Sequence, residues 1–174
     1  MNKISNLLPK HSGKKRKGIA INPNILMETI RINLPMSHDA RHYKLIREAS
    51  NAFNAYLERY KGYHYGISKG FERLQKDSNG DVKRKDYIVE HAIPVSTLIK
   101  QLKEKFKNPC NDQIKDYLTK QYHIYCLTKG EDNRLNKELK DKMPDDWDGK
   151  DPLARYKKAS TSIKIAYESN QYVE

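Results

Sequence analysis

Two short segments rich in β-branched and aromatic residues, at 87–89 and 122–127, are separated by segments whose apolar residues repeat at helical spacing. Short runs of this composition are typical of strands, because such side chains fit a pleated, half-buried surface. The apolar pattern also predicts a long helix at 38–61, with Ser37 as its N-cap. Further helices are expected at about 94–106, 112–120, 129–142 and 152–167. Together these elements predict an α+β fold.

By composition, the chain divides into an N-terminal part at 1–36 and a single helix-decorated domain at 37–174. Residues 1–20 are a basic, glycine-containing arm, and the rest of the N-terminal part is expected to be irregular and to pack on the domain. A basic run is usually a solvated tail, which can lie on phosphates when DNA is present. The run consists of Lys14, Lys15, Arg16 and Lys17.

The charge of the chain indicates its partner. Lys and Arg number 34 against 22 Asp and Glu, which gives a net charge of +12 at pH 7. Such a surface attracts polyanions and binds them by releasing condensed counterions, so nucleic acid is the default partner. A membrane partner is not expected, because the predicted helices carry charge around too much of their circumference.

Several other classes are excluded by simple patterns. No apolar run approaches the roughly 20 residues that span a bilayer, and the N-terminal charges are not followed by the apolar stretch of a secretory signal. A cytoplasmic protein is therefore expected. Cys110 and Cys126 supply neither a disulfide framework nor the paired C-x-x-C knuckles of a zinc ribbon, so no structural zinc is expected.

The residues that can carry chemistry follow the two predicted strands. The first strand ends in Glu90 and His91, and the second leads into a helix with Thr128 as N-cap and Glu131 completing a capping box. Asn133 lies in the first turns of that helix. A histidine beside one divalent cation supplies both the base and the charge stabilisation that phosphodiester hydrolysis needs. Carboxylate and amide oxygens are ligands that suit Mg²⁺.

At these positions the chain resembles the HNH, or ββα-metal (His-Me finger), endonucleases. YIVEHAIP resembles the first strand and loop of their motif, and YHIYCLTKGEDNRLNK resembles the second strand and helix. The resemblance places a ββα-metal core at about 86–142. It implies that His91 is the general base and that Glu90 and Asn133 bind one Mg²⁺ or Mn²⁺ ion.

Other roles implied by the resemblance are less specific. His123 occupies a position from which it would orient the base or contact phosphate. Arg134 and Lys137 lie on the predicted helix, where they either contact phosphate or face solvent. The chain departs from the family pattern in two ways: no clear counterpart of the middle Asn is present, and the connection at 95–120 is long and helical.

The function implied by the resemblance is hydrolysis of phosphodiester bonds in DNA, with duplex DNA as the substrate because the family mostly cuts it. A homodimer would allow both strands to be cut. Two alternatives remain open: a nucleic-acid-binding module that retains a relic of the motif, and a nuclease that cuts RNA or cuts without specificity.

Overall fold

A computed structural model describes residues 22–60, 64–158 and 160–170. The expected phosphate contacts of the basic arm at 14–17 lie outside these residues. The helices are α1 (Pro23–Asn33), α2 (Ala40–Tyr60), α3 (Lys69–Asp77), α4 (Val95–Lys105), α5 (Asn111–Gln121), α6 (Lys129–Leu139) and α7 (Ala154–Lys157). The strands are β1 (His64–Ser68), β2 (Tyr87–His91), β3 (His123–Thr128) and β4 (Ile165–Asn170). The expected α+β class is confirmed.

The strands form one mixed sheet in the order β2-β3-β1-β4. β2 pairs with β3 in the antiparallel direction, β3 with β1 in the parallel direction, and β1 with β4 in the antiparallel direction. The chain passes directly from β3 into α6, so β2, β3 and α6 form an antiparallel strand pair followed by a helix. None of the helices in the described ranges is long and apolar enough to cross a bilayer.

The segment that was expected to be irregular forms helix α1 instead. The Asn22 side chain accepts a hydrogen bond from the backbone N–H of Asn24 at 3.0 Å and caps the helix, and Pro23 occupies its first turn, where no N–H is required. Met27 and Ile30 are fully buried against the domain. Helix α1 is therefore packed into the core, on the N-terminal side of the expected boundary at residue 36.

Helix α2 has close to the bounds that its apolar periodicity predicts, but its cap differs from the prediction. The Asp39 carboxylate, rather than Ser37, accepts hydrogen bonds from the backbone N–H groups of Arg41 at 2.9 Å and His42 at 3.3 Å. A carboxylate at this position also interacts favourably with the positive end of the helix dipole. Phe53, near the middle of the apolar face, is fully buried.

The last predicted helix, at 152–167, is wrong over most of its length. Among the described residues of this segment, only Ala154–Lys157 is helical, and β4 begins at Ile165. The Thr161 hydroxyl donates to the backbone carbonyl of Arg155 at 2.8 Å, and Ser162 has a φ of 43°, so the backbone leaves the helical region here. β4 then pairs along β1, an interaction between distant segments that the helical pattern does not reveal.

The sheet separates two parts of the core. One face packs with α1, α2, α4 and α5 around residues such as Phe53 and Ile124. The other face packs with α6 and α7 around Tyr125, Leu135 and Tyr156. The C-terminal end of β2 lies at the border of these two layers, and this border positions the candidate site.

Candidate functional site

A polar cleft of about 660 Å³ lies at the end of β2, between α2 and α6. Glu90 and His91 both line it. In the antiparallel ladder Glu90 pairs with Tyr125 and His91 pairs with Ile124. Because neighbouring residues of a strand face opposite sides of the sheet, Glu90 faces the α6 layer and His91 faces the α2 layer. The cleft at the strand end is accessible to both side chains.

His91 is held from the α2 side. The side-chain nitrogen Nδ2 of Asn54 lies 3.2 Å from Nε2 of His91, and Asn54 is itself buried, with 5% of its surface exposed. The imidazole also packs on the ring of Tyr122, with 5.5 Å between the ring centroids. These contacts fix the orientation of a half-buried histidine whose edge reaches the cleft.

Glu90 is held from the opposite layer by a buried arginine. The guanidinium of Arg155 donates from Nη1 to Oε1 of Glu90 at 3.0 Å, and the Arg155 side chain is completely buried. Burial raises the pKa of the Glu90 carboxyl, and the positive charge of Arg155 opposes this rise. The ion pair therefore favours an ionised carboxylate at a position where burial alone disfavours it.

Arg155 also joins the two elements that form the cleft wall. Its Nη1 donates to the backbone carbonyl of His91 at 2.9 Å, and its Nη2 donates to the carbonyls of Leu139 at 2.5 Å and Lys140 at 3.0 Å. The last carbonyls of a helix have no intrahelical donor, so Arg155 supplies hydrogen bonds that the end of α6 lacks. The arginine thus fixes the end of α6 beside the end of β2.

The structure brings Asn136, and not Asn133, to the cleft. Asn133 is exposed on α6, whereas Asn136 is half-buried and lines the cleft with Glu90 and His91. Helix phase, rather than helix rise, explains the difference: at about 100° per residue, Asn133 lies nearly opposite the face that buries Leu135, and Asn136 lies at the border of that face. Thr128 pairs with Tyr87 at the far end of the strands. Asn136 lies about 12 Å along α6 from Thr128. Glu90 lies about 10 Å along β2 from Tyr87, so Asn136 and Glu90 lie at a similar level above the paired residues Thr128 and Tyr87.

Two exposed cations line the cleft on opposite sides, Arg47 from α2 and Lys140 from the end of α6. Neither side chain forms an ion pair with any residue in the described part of the chain. The sequence gives no indication that Arg47 and Asn54 belong to the site, because only the packing of α2 on β2 brings them there. Arg155 was missed for a related reason, since it lies in the segment predicted as a long helix.

The remaining predicted site residues lie elsewhere. His123 is half-buried at the start of β3, and its backbone carbonyl accepts a hydrogen bond from the N–H of Ala92 at 2.9 Å. Strand alternation directs its side chain to the face opposite that of Ile124, and so away from the His91 layer. Lys137 is exposed on α6, and Arg134 lines a different pocket near the start of that helix.

The donors in the cleft fit a hard divalent cation. Glu90 offers the carboxylate oxygen Oε2 beside the Oε1 that Arg155 contacts, and Asn136 offers an amide oxygen. Within the ranges that the structure describes, no three His, Cys, Asp or Glu side chains are placed to share a metal ion. Mg²⁺ commonly uses only one or two protein oxygens and completes its shell with water and substrate phosphate.

Comparison with protein-family models, with curated proteins and with solved structures finds no match for this chain. The function is therefore inferred from the geometry of the cleft and from the residues that line it.

Proposed function

We propose that this protein is a metal-dependent nuclease of the HNH type that hydrolyses phosphodiester bonds in DNA. The observation that carries the proposal is the meeting of His91, Glu90 and Asn136 in one cleft, at the end of an antiparallel strand pair followed by a helix. A base, a carboxylate and an amide on this arrangement of elements are what the ββα-metal resemblance requires. Asn136 takes the ligand role that the sequence pattern assigned to Asn133.

The proposed reaction uses the side chains in the cleft as follows. His91 accepts a proton from a water molecule, whose oxygen forms a bond to the phosphorus as the bond to the leaving sugar oxygen breaks. The leaving oxygen takes up a proton from solvent water and departs as a hydroxyl group. Glu90 and Asn136 would hold a divalent cation, which would supply charge neutralisation for the reaction. Arg47 and Lys140 contact the neighbouring phosphates from the two walls of the cleft.

The long connection between β2 and β3 is compatible with this proposal. Its helices α4 and α5 place Leu98, Leu102 and Ile114 in the core shared with α1 and α2, so they extend the domain. Among the described residues that line the cleft, the connection contributes only its first part, at 94–96. An enlarged connection therefore leaves the end of β2 accessible.

A second candidate function is nucleic-acid binding without catalysis, and the contact between Glu90 and Arg155 favours it. A carboxylate that accepts a hydrogen bond from a buried guanidinium has a structural role, which a protein would retain after its catalytic site had degenerated. Both functions predict binding that falls with salt, because the chain carries a net charge of +12. Only the nuclease predicts metal-dependent cleavage.

Plasmid cleavage by the full chain in Mg²⁺, Mn²⁺ and EDTA tests the nuclease proposal. The chain offers a matched pair of variants on α6, since Asn136 lines the cleft and Asn133 is exposed three residues earlier. We expect metal-dependent cleavage that Asn136→Ala reduces at least about tenfold and Asn133→Ala leaves unchanged. Cleavage that persists in EDTA, or that depends on Asn133 and not Asn136, would contradict the proposed site. Salt-sensitive binding without cleavage would establish the second candidate.

A further inference from the structure

A second pocket, of about 420 Å³, lies at the opposite end of β3 from the cleft. We call it the cationic pocket, because four basic side chains line it: Lys69, Arg73, Arg134 and Lys164. All four residues are exposed, and none forms an ion pair with the rest of the described chain. Four converging cations that form no ion pair with the described residues constitute a site for an anion.

Three separate segments bring these cations together. The backbone N–H of Lys69 donates to the carbonyl of Lys164 at 2.8 Å, which fixes the start of α3 beside the segment that leads into β4. Arg73 follows Lys69 by one turn of α3, and Arg134 comes from the first turns of α6. The convergence is therefore a product of the tertiary fold rather than of one lysine-rich stretch.

The base of the cationic pocket is a buried acid whose hydrogen bonds are already satisfied. The Glu131 carboxylate accepts hydrogen bonds from the Ser68 hydroxyl at 2.5 Å, from the Gly70 N–H at 3.3 Å and from the Thr128 N–H at 2.9 Å. Glu131 is 6% exposed, so its charge is directed at these donors. Because the pocket has four basic side chains and one acidic side chain, its electrostatic potential is strongly positive.

We propose that the cationic pocket binds a backbone phosphate of the same DNA molecule that enters the cleft. The proposal rests on the proposed function in taking DNA as the ligand, but it requires binding only and no catalysis. Lysine and arginine side chains at an exposed rim suit a phosphate that is attached to a long polyanion, because they contact it without enclosing it.

Helix α6 sets the distance between the two phosphate positions. Thr128 lines the cationic pocket and Lys140 lines the cleft. Twelve residues of helical rise separate them by about 18 Å, which corresponds to about five phosphates of one strand along a duplex axis. Lys137 is exposed on the same helix between these two ends. The DNA is thus expected to follow α6, with the scissile phosphate at one end and the anchoring phosphate at the other.

Equilibrium binding in the His91→Ala background, in EDTA, tests the proposal without any cleavage. A labelled duplex of about 30 base pairs is titrated over a series of salt concentrations, because the slope of log affinity against log salt counts the phosphates contacted. The test variant is Lys69→Gln with Arg73→Gln. The matched control is Lys103→Gln with Lys120→Gln, which removes the same charge from exposed positions on α4 and α5.

We expect the test variant to bind at least about tenfold more weakly and to have a salt slope smaller by about 0.9, because one phosphate contact is lost, while the control keeps the slope of the parent. Equal losses in the two variants, or no loss in either, would overturn the proposal, whether or not inorganic phosphate binds in the pocket. Absence of duplex binding by the parent would overturn it as well. Failure of plasmid cleavage overturns the nuclease proposal alone, since the binding measurement does not involve cleavage.

Discussion

Asn54 Nδ2 lies 3.2 Å from Nε2 of His91, although 37 residues separate the two in the chain. The amide belongs to the middle of α2 and the imidazole to the end of β2, so the contact exists only because α2 packs on that end of the sheet. Asn54 is thus a positioning residue for the proposed base, provided by a helix outside the part of the chain that resembles the HNH motif.

Replacement of Asn54 by alanine should lower kcat for DNA cleavage by about ten- to a hundredfold, because an imidazole that is displaced by about 1 Å no longer aligns with the attacking water. KM should change little, since the buried Asn54 side chain offers DNA almost no surface to contact. Ser50→Ala, at another buried polar position on α2, controls for general loss of stability. Steady-state cleavage kinetics of the two variants measure these changes. Equal reductions of kcat in Asn54→Ala and Ser50→Ala would contradict a positioning role.

Loss of the Arg155 guanidinium should destabilise the fold strongly. Arg155→Met removes hydrogen bonds to Glu90 and to three backbone carbonyls, and leaves the half-buried Glu90 carboxylate without its counter-ion. Removing one partner of a buried pair costs about 3–5 kcal/mol of unfolding free energy.

Urea denaturation measures that free energy, and Glu90→Met with Arg155→Met provides the control. The double variant should recover part of the loss, because no buried charge then lacks a partner. A loss below about 1 kcal/mol in the single variant would mean that Arg155 does not hold β2 to α6.

Two glycines near helix N-termini should respond in opposite ways to substitution by alanine. A Cβ on Gly70 would lie 2.5 Å from Oε1 of Glu131, so Gly70→Ala must displace the carboxylate that caps both α3 and α6, at a cost of about 1–3 kcal/mol. The nearest atoms to a Cβ on Gly130 are 4.0 Å away, so Gly130→Ala should stabilise α6 by about 0.5–1 kcal/mol.

Thermal melting of the two glycine variants checks this contrast. Similar melting temperatures for Gly70→Ala and Gly130→Ala would show that the Glu131 carboxylate does not occupy the position over Gly70.

The two cysteines should differ in reactivity. Burial raises the pKa of Cys126 to about 12, and only 6% of that residue is exposed, whereas Cys110 is exposed. Thiolates react and thiols do not, so near neutral pH Cys126 should be labelled only on unfolding. Counting of thiols with a chromogenic disulfide should give one fast thiol in the native protein and two in denaturant. Two fast thiols under native conditions would contradict the packing of β3.

Local signals in the sequence predicted local structure well. The predicted capping box forms, with the Glu131 N–H donating to the Thr128 hydroxyl at 3.2 Å. The Ser-Asn-Gly-Asp sequence at 78–81 is typical of a turn, and Asn79 and Gly80 have φ values of 51° and 86°, which these residue types tolerate best. Each of these features depends on residues within four positions of one another, so the sequence pattern contains all the necessary information.

Features that depend on tertiary contacts were not predicted. β4 is a strand because β1 offers it an edge, and the segment around Thr161 turns because its hydroxyl replaces helical hydrogen bonds. Asn54 and Arg155 join the site from distant parts of the chain, and a single sequence does not reveal such pairings. Asn136 is an intermediate case: once the face of α6 that buries Leu135 and Leu139 is known, helix phase selects it over Asn133.

The central claim is that His91 is the base of a nuclease site, and cleavage of supercoiled plasmid by wild type and His91→Ala in Mg²⁺ tests it most directly. Both proteins should bind duplex DNA equally at a given salt concentration, because the cations of the cleft and of the cationic pocket remain. Wild type should nick the plasmid, and His91→Ala should do so at least about a hundredfold more slowly. Equal cleavage by the two proteins, or none by wild type despite DNA binding, would contradict the account.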